Sequence, residues 1–332
     1  MAKPLTVVIV TFGGYENLAG CLASLASQSF TDFDIIIVSN APGRGVQDVI
    51  TRSGLASKIR LVENMVNQGY GAACNVGARM ANSRFLVFSN DDMYYDREWL
   101  ADLHRSLCSN ENTILQSMIF HEHIQQSRRG NPCDVYGAAG ITFYRDCGTG
   151  EFYASGASVA MSKRVFVLLR GFDQKLFMYH EDVDLSWRAR IMGLSISSVP
   201  SALCLHRGGV SSKAMPVPVK FYLTQRNRIR VLLKCYALRR LFVRLLLACC
   251  LILGGAFFLG FKTGCPDYLI QGAKAFLWNV RIFRNSIRER YSVQRARTVN
   301  DSTLEAAMNK YPMDLCVLGR YIRSYGIRGL RG

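Results

Sequence analysis

Residues 5–14, LTVVIVTFGG, decide the fold class of this chain. The first six of them form a continuous run of apolar and β-branched side chains, which is typical of a parallel strand buried on both faces. Residues 33–38 (FDIIIV) and 84–88 (RFLVF) repeat the pattern, and helical periodicity lies between these runs at residues 17–28 and 71–81. Strands that alternate with helices predict an α/β fold, with a Rossmann-like, mostly parallel sheet flanked by helices.

Composition limits the class of protein. The 332 residues include 41 Lys and Arg, 24 Asp and Glu, and 49% hydrophobic residues. That apolar content excludes a disordered chain. The 11 cysteines contain no CxxC pair, which argues against a zinc ribbon or a secreted disulfide framework and favours free thiols in a reducing compartment. The N-terminus runs directly into an apolar strand and lacks the features of a signal peptide.

The positive charge is concentrated in the C-terminal part of the chain. Residues 1–212 carry 19 basic and 19 acidic residues, whereas residues 213–332 carry 22 basic and 5 acidic residues. We therefore predict two domains: a neutral catalytic domain over residues 1–212 and a basic helical region over residues 213–332. Such asymmetry indicates a polyanionic partner for the second region, either nucleic acid or an anionic membrane surface.

Residues 245–261 decide between these two partners. All 17 residues are uncharged, and Arg239, Arg240, Arg244 and Lys262 flank them. Nucleic-acid modules do not normally expose such a run, so we predict a membrane-associating region and no nucleic-acid partner. The length is at the lower limit for spanning a bilayer core about 30 Å thick, and basic residues lie on both sides, so a segment lying in the interface is favoured. A buried core helix is the alternative.

Polar residues follow the predicted strands, at the sheet edge where ligands bind in folds of this kind. Asn90-Asp91-Asp92 comes after the strand at residues 84–88. Adjacent carboxylates repel each other unless a divalent cation and a diphosphate share their charge, which predicts a Mg²⁺ or Mn²⁺ site. A solvated turn that caps a helix is the alternative interpretation. The next segment, residues 117–150, is rich in Gly, Gln, Arg and Asn and predicts loops and short strands.

A second acidic cluster lies in residues 171–188, GFDQKLFMYHEDVDLSWR. Glu181 and Asp182 open a predicted helix, where the helix dipole is expected to lower their pKa values. A carboxylate held there can act as a general base toward an acceptor hydroxyl. Acidic residues are generally favoured in the first turn of a helix, and this preference alone explains Asp184. It does not explain the aromatic residues around Glu181 and Asp182.

Two further segments are rich in glycine. NQGYGAACNVG, residues 67–77, has glycines that allow the backbone close to a ligand at a helix N-terminus. LHRGGVSS, residues 205–212, offers His206 as a ligand of a metal or phosphate, and Arg207 and Ser211 as phosphate contacts.

Together and in order, these four segments resemble the family 2 glycosyltransferases, which have the GT-A fold. The resemblance implies an inverting, metal-dependent transferase that moves a sugar from a nucleotide diphosphate-sugar to a hydroxyl of a glycan or lipid-linked acceptor. Asp182 would be the general base with Glu181 beside it, and Asp92 and His206 would bind Mg²⁺ or Mn²⁺. The implied nucleotide-sugar-binding residues are Thr11, Phe12, Ser39, Asn40, Asn67, Gly69, Gly71, Asn75, Asn90, Asp91, Arg207 and Ser211.

The sequence departs from the family pattern at two positions. Asn90 replaces the first Asp of the family's D-x-D motif, and Ser39 stands where an Asp usually binds the nucleotide base. The C-terminal segments at residues 225–234 and 282–299 also resemble bacterial rhamnosyltransferase-like members, which makes rhamnose a candidate sugar. This resemblance implies cell-envelope polysaccharide synthesis at the cytoplasmic face of the inner membrane, with peripheral or monotopic attachment.

Three questions stay open at this point. A nucleotidyltransferase of related fold and a non-catalytic, membrane-associated nucleotide-sugar-binding protein are the alternative functions. A nucleotidyltransferase would need a basic glycine-rich loop after its first strand, and residues 11–15 contain no Lys or Arg. Oligomerisation through the C-terminal helices is also left open.

Overall fold

A computed structural model describes residues 3–13, 15–41, 43, 45–122, 124–128, 131–139, 151–208 and 215–315. The chain divides into two compact units. The first consists of Met1–Gly130, Ala154–Ser186 and Leu194–Ala214, and the second of Asn131–Tyr153, Trp187–Gly193 and Met215–Gly332.

The first unit is built on a nine-stranded sheet. Its strands are β1 (Leu5–Thr11), β2 (Phe33–Ser39), β3 (Ile59–Glu63), β4 (Phe85–Asn90), β5 (Met93–Tyr95), β6 (Thr113–His121), β7 (Ile124–Arg128), β8 (Ser158–Ser162) and β9 (Ser195–His206). Eight of them follow the order β3-β2-β1-β4-β8-β6-β9-β5, and β7 pairs with β6. The strands β3, β2, β1 and β4 are parallel, as the alternation with helices predicts. The α/β fold class is therefore confirmed.

The second half of the sheet is mixed. Strand β8 runs antiparallel to both β4 and β6, β6 is parallel to β9, and β5 is antiparallel to β9. The short strand β5 aligns Met93 with His206, which brings the turn after β4 beside the end of β9.

The helices that alternate with or follow these strands are α1 (Tyr15–Ala26), α2 (Val46–Arg52), α3 (Tyr70–Met80), α4 (Trp99–Ser109), α5 (Lys163–Leu168) and α6 (Glu181–Ile191). Of these, α1, α3, α4 and α5 pack on strands of the sheet. Helix α1 buries Leu18, Cys21, Leu22 and Leu25, which recur at helical spacing. Helix α3 packs closely on β1, because a side chain at Gly77 would lie 2.3 Å from Cγ1 of Val8.

Strand β6 corrects an expectation from the sequence. The predicted region of loops and short strands began at residue 117, but its first residues belong to Thr113–His121, a nine-residue strand whose side chains are buried as far as residue 119. Gln116 and Ser117 interrupt the apolar pattern, yet both are buried with partners: Gln116 Oε1 accepts from the N–H of Ser155 at 2.7 Å, and Ser117 Oγ accepts from Nε1 of Trp99 at 2.7 Å. Of the predicted loop region, residues 123, 129–130 and 140–150 lie outside the described residues.

The second unit is helical. It contains α7 (Val217–Cys235), α8 (Leu238–Thr263), α9 (Asp267–Arg281), α10 (Phe283–Arg295) and α11 (Asp301–Ala306). Helix α7 buries arginines that reach partners: Arg230 donates to Oγ of Ser286 at 2.7 Å, and Arg228 donates to the carbonyl of Tyr136 at 2.8 Å. Within the described part of the chain, α8 is the one helix that is long and apolar enough to cross a membrane.

Candidate active site

The acidic turn lies between two strands of the first unit. Strand β4 ends at Asn90 and β5 begins at Met93, so Asp91 and Asp92 form the connection. Asp92 is 1% exposed, and among the described residues neither of its carboxylate oxygens has a hydrogen-bond partner. Nε2 of His206 lies 3.1 Å from Oδ2 of Asp92, an ion-pair contact whose geometry is not that of a hydrogen bond. Buried carboxylates are normally satisfied, so this pair has capacity for a further ligand.

Asp91 is held by the end of the neighbouring parallel strand. Oγ1 of Thr11 donates a hydrogen bond of 2.6 Å to Oδ2 of Asp91. Burial raises the pKa of Asp91 to about 7, and the nearby charge of Asp92 adds to this rise, while the Thr11 hydrogen bond opposes it. A cation beside these two carboxylates would favour their ionised forms.

The turn fits a divalent metal only as part of a larger site. Across the residues that the structure describes, no group of three His, Cys, Asp or Glu side chains could hold a metal ion by itself. Asp92 and His206 supply two potential ligands, and the His121 ring lies 5.3 Å from the His206 ring, centre to centre. A Mg²⁺ or Mn²⁺ ion is commonly held by one or two carboxylates together with phosphate oxygens, so the orphaned oxygens of Asp92 fit such an ion.

Asn40 connects the end of β2 to the glycine-rich segment. Its Oδ1 accepts from Nδ2 of Asn64 at 2.8 Å, and its Nδ2 donates to the carbonyl of Gly69 at 3.3 Å. Oδ1 of Asn67 accepts from the N–H of Gly69 at 2.9 Å. Ser39 is fully buried, and its hydroxyl donates to the carbonyl of Ala41 at 3.1 Å. These predicted site residues thus shape the loop that precedes α3.

The glycine-rich segment packs against the second acidic segment. Both amide atoms of Asn75 bind the backbone of Phe172, with Nδ2 donating at 2.8 Å and Oδ1 accepting at 2.9 Å. The N–H of Tyr70 donates to the carbonyl of Phe177 at 2.9 Å. Gly69 has φ of +82°, and a side chain there would lie 2.1 Å from that same carbonyl oxygen, so glycine is required. Gly71 is also closely packed, because a side chain there would lie 2.9 Å from Cβ of Phe172 and 3.5 Å from Cβ of Glu181.

The chain that leads into α6 has an unusual backbone. Phe177, Tyr179 and His180 all have positive φ, between 64° and 68°. A sparsely populated backbone conformation of this kind costs on the order of 1–3 kcal/mol for each residue with a side chain. Strain of this kind concentrates at functional sites, where the surrounding structure holds it in place.

Asp182 is held by backbone donors. Its Oδ2 accepts from the N–H of Gly156 at 3.1 Å, and its Oδ1 accepts from the N–H of Val183 at 2.8 Å. The hydroxyl of Tyr70 donates to the carbonyl of Gly156 at 2.5 Å, which holds the same residue through the peptide group that follows it. Asp182 is partly exposed as a residue, and both of its carboxylate oxygens are oriented by backbone donors.

The pKa values of the acidic pair differ from the sequence-based expectation. Burial raises the pKa of Glu181 to about 8, and the charges of Asp182 and Asp184 add to the rise. Burial also raises the pKa of Asp182, although the N–H groups of Gly156 and Val183 oppose this. The expectation that the helix dipole lowers both pKa values was wrong, because desolvation and like-charge repulsion outweigh the dipole. Burial and the neighbouring charges therefore favour the protonated form of Glu181 at neutral pH.

One turn contacts both acidic clusters. The carbonyl of Ala157 accepts from the N–H of Asn90 at 3.3 Å, and the preceding residue, Gly156, binds Asp182. The end of β4, which leads into the acidic turn, and the carboxylate of Asp182 therefore contact neighbouring residues of the same short segment. The sequence did not predict a role for Gly156 or Tyr70. Gly156 lies in a run of small residues at 155–158, and Tyr70 lies between two glycines.

The remaining predicted residues have separate surroundings. Phe12 is 41% exposed and follows Thr11 at the end of β1. The guanidinium group of Arg207 lies 4.3 Å from the centre of the Tyr94 ring, and its Nη1 donates to the Tyr94 hydroxyl at 3.1 Å. The N–H of Arg207 donates to the carbonyl of Asp92 at 3.1 Å, so the segment after β9 is fastened to the acidic turn. Ser211 lies outside the described residues.

The sequence resembles known glycan-synthesis proteins. Residues 6–166 match the family described as Glycosyl transferase family 2. The chain is 20% identical over 244 residues to the low-salt glycan biosynthesis hexosyltransferase Agl10 of Haloferax volcanii, covering 69% of this chain and 75% of that protein. It is 25% identical over 236 residues to the O-antigen biosynthesis protein RfbC of Myxococcus xanthus, covering 66% of this chain and 18% of that protein.

Solved structures share the fold at low sequence identity. GalNAc-T7 with UDP, GalNAc and Mn²⁺ is similar with a TM-score of 0.57 and 16% identity, covering 70% of this chain and 48% of that one. The mannosyltransferase PcManGT from Pyrobaculum calidifontis, in complex with GDP-Man and Mn²⁺, has a TM-score of 0.53 and 14% identity, covering 98% and 88%. These likenesses establish the GT-A fold. Residues 6–166 are thus a glycosyl transferase family 2 domain, and the protein is a glycosyltransferase.

Proposed function

We propose that the protein transfers a sugar from a nucleotide diphosphate-sugar to a hydroxyl group with inversion at the anomeric carbon. The observation that carries the proposal is that one short segment contacts both acidic regions: the carbonyl of Ala157 accepts from the N–H of Asn90, and the N–H of Gly156 donates to Asp182. Asp92 is buried without a hydrogen-bond partner among the described residues, and Asp182 is oriented by the N–H of Gly156 and partly exposed. Asp92 is therefore suited to bind the cation of a diphosphate, and Asp182 is suited to act as a proton acceptor.

Asp92 and His206 are the proposed ligands of Mg²⁺ or Mn²⁺, and Asn90 and Asp91 lie beside them. When bound, the ion would neutralise charge on the departing diphosphate. Asp92 contributes an oxygen that is already desolvated, so little reorganisation is needed on binding. The Mn²⁺ in the complexes of GalNAc-T7 and PcManGT supports this assignment, without distinguishing Mg²⁺ from Mn²⁺ here.

Asp182 is the proposed general base. It accepts the proton of the acceptor hydroxyl, whose oxygen forms the new glycosidic bond as the bond between the anomeric carbon and the diphosphate oxygen breaks. A single displacement of this kind inverts the anomeric configuration and needs no nucleophile on the protein. Burial raises the pKa of Glu181 to about 8, which favours its protonated form at neutral pH, so Asp182 is the proposed proton acceptor of the two.

The proposed nucleotide-sugar contacts surround these carboxylates. Phe12 offers an exposed ring for the base, and Thr11 and Asn40 form the floor at the ends of β1 and β2. The remaining proposed contacts are Ser39, Asn67, Gly69, Gly71, Asn75, Arg207 and Ser211. The complexes of TarS from S. aureus with UDP and of PcManGT with GDP-Man support a nucleotide donor. Rhamnose remains the proposed sugar on the resemblance of the C-terminal segments alone.

We further propose a glycan or lipid-linked acceptor and a location at the cytoplasmic face of the inner membrane. The names of Agl10 and RfbC, which refer to glycan and O-antigen biosynthesis, support the acceptor class. The apolar helix α8 and the charge of residues 213–332 support membrane attachment by this region, with residues 1–212 as the catalytic domain.

A panel of nucleotide sugars tests the proposal. Thermal unfolding of the full chain is measured with each donor, with and without Mn²⁺, because a ligand that binds only the folded state raises the midpoint. We expect one class of donor to raise the midpoint, more strongly with Mn²⁺, and to be consumed when an acceptor is added. Stabilisation by nucleoside triphosphates with release of pyrophosphate would instead favour a nucleotidyltransferase.

A further inference from the structure

We infer that a cavity at the start of α8 binds the phosphate head group of a membrane lipid. The cavity measures about 510 Å³ and is lined by Ala237, Arg239, Arg240, Val243, Arg244, Asp301 and Ser302. All seven residues belong to the second unit. The inference rests on the proposed membrane attachment and assigns it a specific site and ligand chemistry.

The cavity carries more positive than negative charge. Glu305 accepts from Nε and Nη2 of Arg244 at 2.8 and 3.0 Å, and its Oε2 lies 3.7 Å from Nη1 of Arg240. Asp301 forms an ion pair with Arg297, whose Nη1 donates a hydrogen bond of 3.0 Å to its Oδ1. Arg239, Arg240, Arg244 and the neighbouring Arg297 thus carry four positive charges against the two negative charges of Glu305 and Asp301.

Arg239 is the cation available for a ligand. Its side chain is exposed and makes no ion pair within the described part of the chain. Arg240 is also exposed, and its Nη2 lies 3.4 Å from Oγ of Ser302, a hydroxyl that can donate to a phosphate oxygen. Exposed arginines together with a hydroxyl donor suit a phosphate group, because guanidinium forms charge-assisted hydrogen bonds to its oxygens.

The same helix presents an apolar face that begins at the cavity. Phe242, Leu246, Leu253, Phe257 and Phe261 recur at intervals of four and seven residues, and each is more than half exposed. The opposite face of α8 is buried at Leu241, Ala248, Ile252 and Ala256. Val243 lines the cavity and is itself 52% exposed, so the cationic and apolar surfaces are continuous.

This combination identifies the ligand as a lipid. A free phosphate would neutralise Arg239 but would leave the large apolar face of α8 in water, at a cost of roughly 25 cal/mol for each Å². A nucleic acid would satisfy the charge but would not cover the aromatic side chains. A lipid places its phosphate in the cavity and its acyl chains along Phe242 and Leu246, and an anionic membrane also attracts the basic residues nearby.

Vesicle binding by the full chain tests the site. Sedimentation is measured with vesicles of phosphatidylcholine alone and with vesicles that also contain phosphatidylglycerol. The test variant is Arg239→Gln/Arg240→Gln, and the matched control is Arg284→Gln/Arg288→Gln, which removes two exposed charges from α10. Generic attraction is worth about 1 kcal/mol for each basic residue near the surface, so it would weaken both variants alike.

We expect the cavity variant to lose at least about ten-fold more affinity for the mixed vesicles than the control variant does, with partial recovery in Arg239→Lys/Arg240→Lys. If the double variant does not fold, Arg239→Gln alone carries the test, because Arg239 is exposed and makes no ion pair among the described residues. Equal losses in the cavity and control variants would overturn the site while leaving membrane attachment standing.

Two further outcomes separate the inference from the proposed function. If the unmodified protein binds neither kind of vesicle, both the membrane attachment and the lipid site are wrong. If inorganic phosphate raises the thermal midpoint of the unmodified protein as much as the mixed vesicles do, the cavity binds free phosphate and the lipid assignment is wrong. Neither readout requires turnover, so failure of the glycosyl transfer proposal would appear separately.

Discussion

The backbone N–H of Gly156 donates a hydrogen bond of 3.1 Å to Oδ2 of Asp182. The next residue, Ala157, accepts from the N–H of Asn90, which opens the acidic turn containing Asp92. The strand end that leads to Asp92 and the carboxylate of Asp182, about 90 residues later in the chain, thus contact one short turn. This arrangement gives the proposed proton acceptor and the proposed diphosphate site a common support.

Tyr70 should position Asp182 through that turn. Its hydroxyl donates to the carbonyl of Gly156, so Tyr70→Phe removes a hydrogen bond from the residue whose N–H holds the carboxylate. We expect kcat to fall by about one order of magnitude, because small misplacements of a catalytic group are costly. The Michaelis constant for the donor should change little. The loss in free energy of unfolding should be about 1 kcal/mol.

Tyr15 provides a matched control for this substitution. Its hydroxyl is buried and makes no hydrogen bond among the described residues, so Tyr15→Phe should leave both stability and kcat nearly unchanged. Steady-state kinetics and urea unfolding of the two variants give the comparison. A fall in kcat that is equal in both variants would show that the Tyr70 hydroxyl has no special role.

Gly69→Ala should destabilise the protein through a backbone clash. A Cβ at this position would lie 2.1 Å from the carbonyl oxygen of Phe177, and φ is +82°. Gly54 is the control, since its φ is +72° but nothing lies within 4 Å of a Cβ there. We expect Gly54→Ala to cost about 1 kcal/mol from its backbone conformation alone, and Gly69→Ala to cost clearly more. Urea unfolding midpoints measure both, and equal losses would contradict the tight packing of Gly69 against Phe177.

Stability should fall with rising pH because of Glu181. Its folded-state pKa of about 8 is above the ordinary value, so the unfolded chain loses this proton first as pH rises. The stabilisation is complete below about pH 4.5 and is lost by about pH 8, a change on the order of a few kcal/mol.

Glu181→Gln isolates this effect, because it removes the titrating group while keeping the shape of the side chain. Urea unfolding of both proteins is measured at intervals from pH 5 to pH 8. We expect the unmodified protein to lose more stability across that range than the variant does. Parallel pH profiles would mean that Glu181 titrates near its ordinary pKa.

The sequence predicts the parallel half of the sheet well because its strands are continuous apolar runs. It also predicts that Thr11, Asn40 and Asp91 lie close together, since adjacent parallel strands end at one edge, and the structure joins them by hydrogen bonds. Strand β6 was not predicted, because Gln116 and Ser117 are buried with partners that are distant in the sequence.

The electrostatics of the acidic pair could not be predicted in the same way. The pKa shift of Glu181 depends on burial, and a helix N-terminus in the sequence indicates only the dipole. The roles of Tyr70 and Gly156 depend on contacts across 86 and 26 residues of sequence, which no local pattern indicates. Local patterns therefore predicted which side chains lie close together. They did not predict how burial and distant contacts shift the pKa values and fix the positions of these side chains.

The central claim is that Asp92 serves the donor diphosphate while Asp182 serves the acceptor hydroxyl. The most direct test uses the variants Asp92→Asn and Asp182→Asn. For each variant, calorimetry with Mn²⁺ measures the affinity for the donor, and turnover is measured on the same samples. The account predicts that Asp182→Asn binds donor normally and loses about 10²–10⁴-fold in turnover. It predicts that Asp92→Asn loses the Mn²⁺-dependent part of donor binding. Full turnover in Asp182→Asn with donor binding intact would contradict the account.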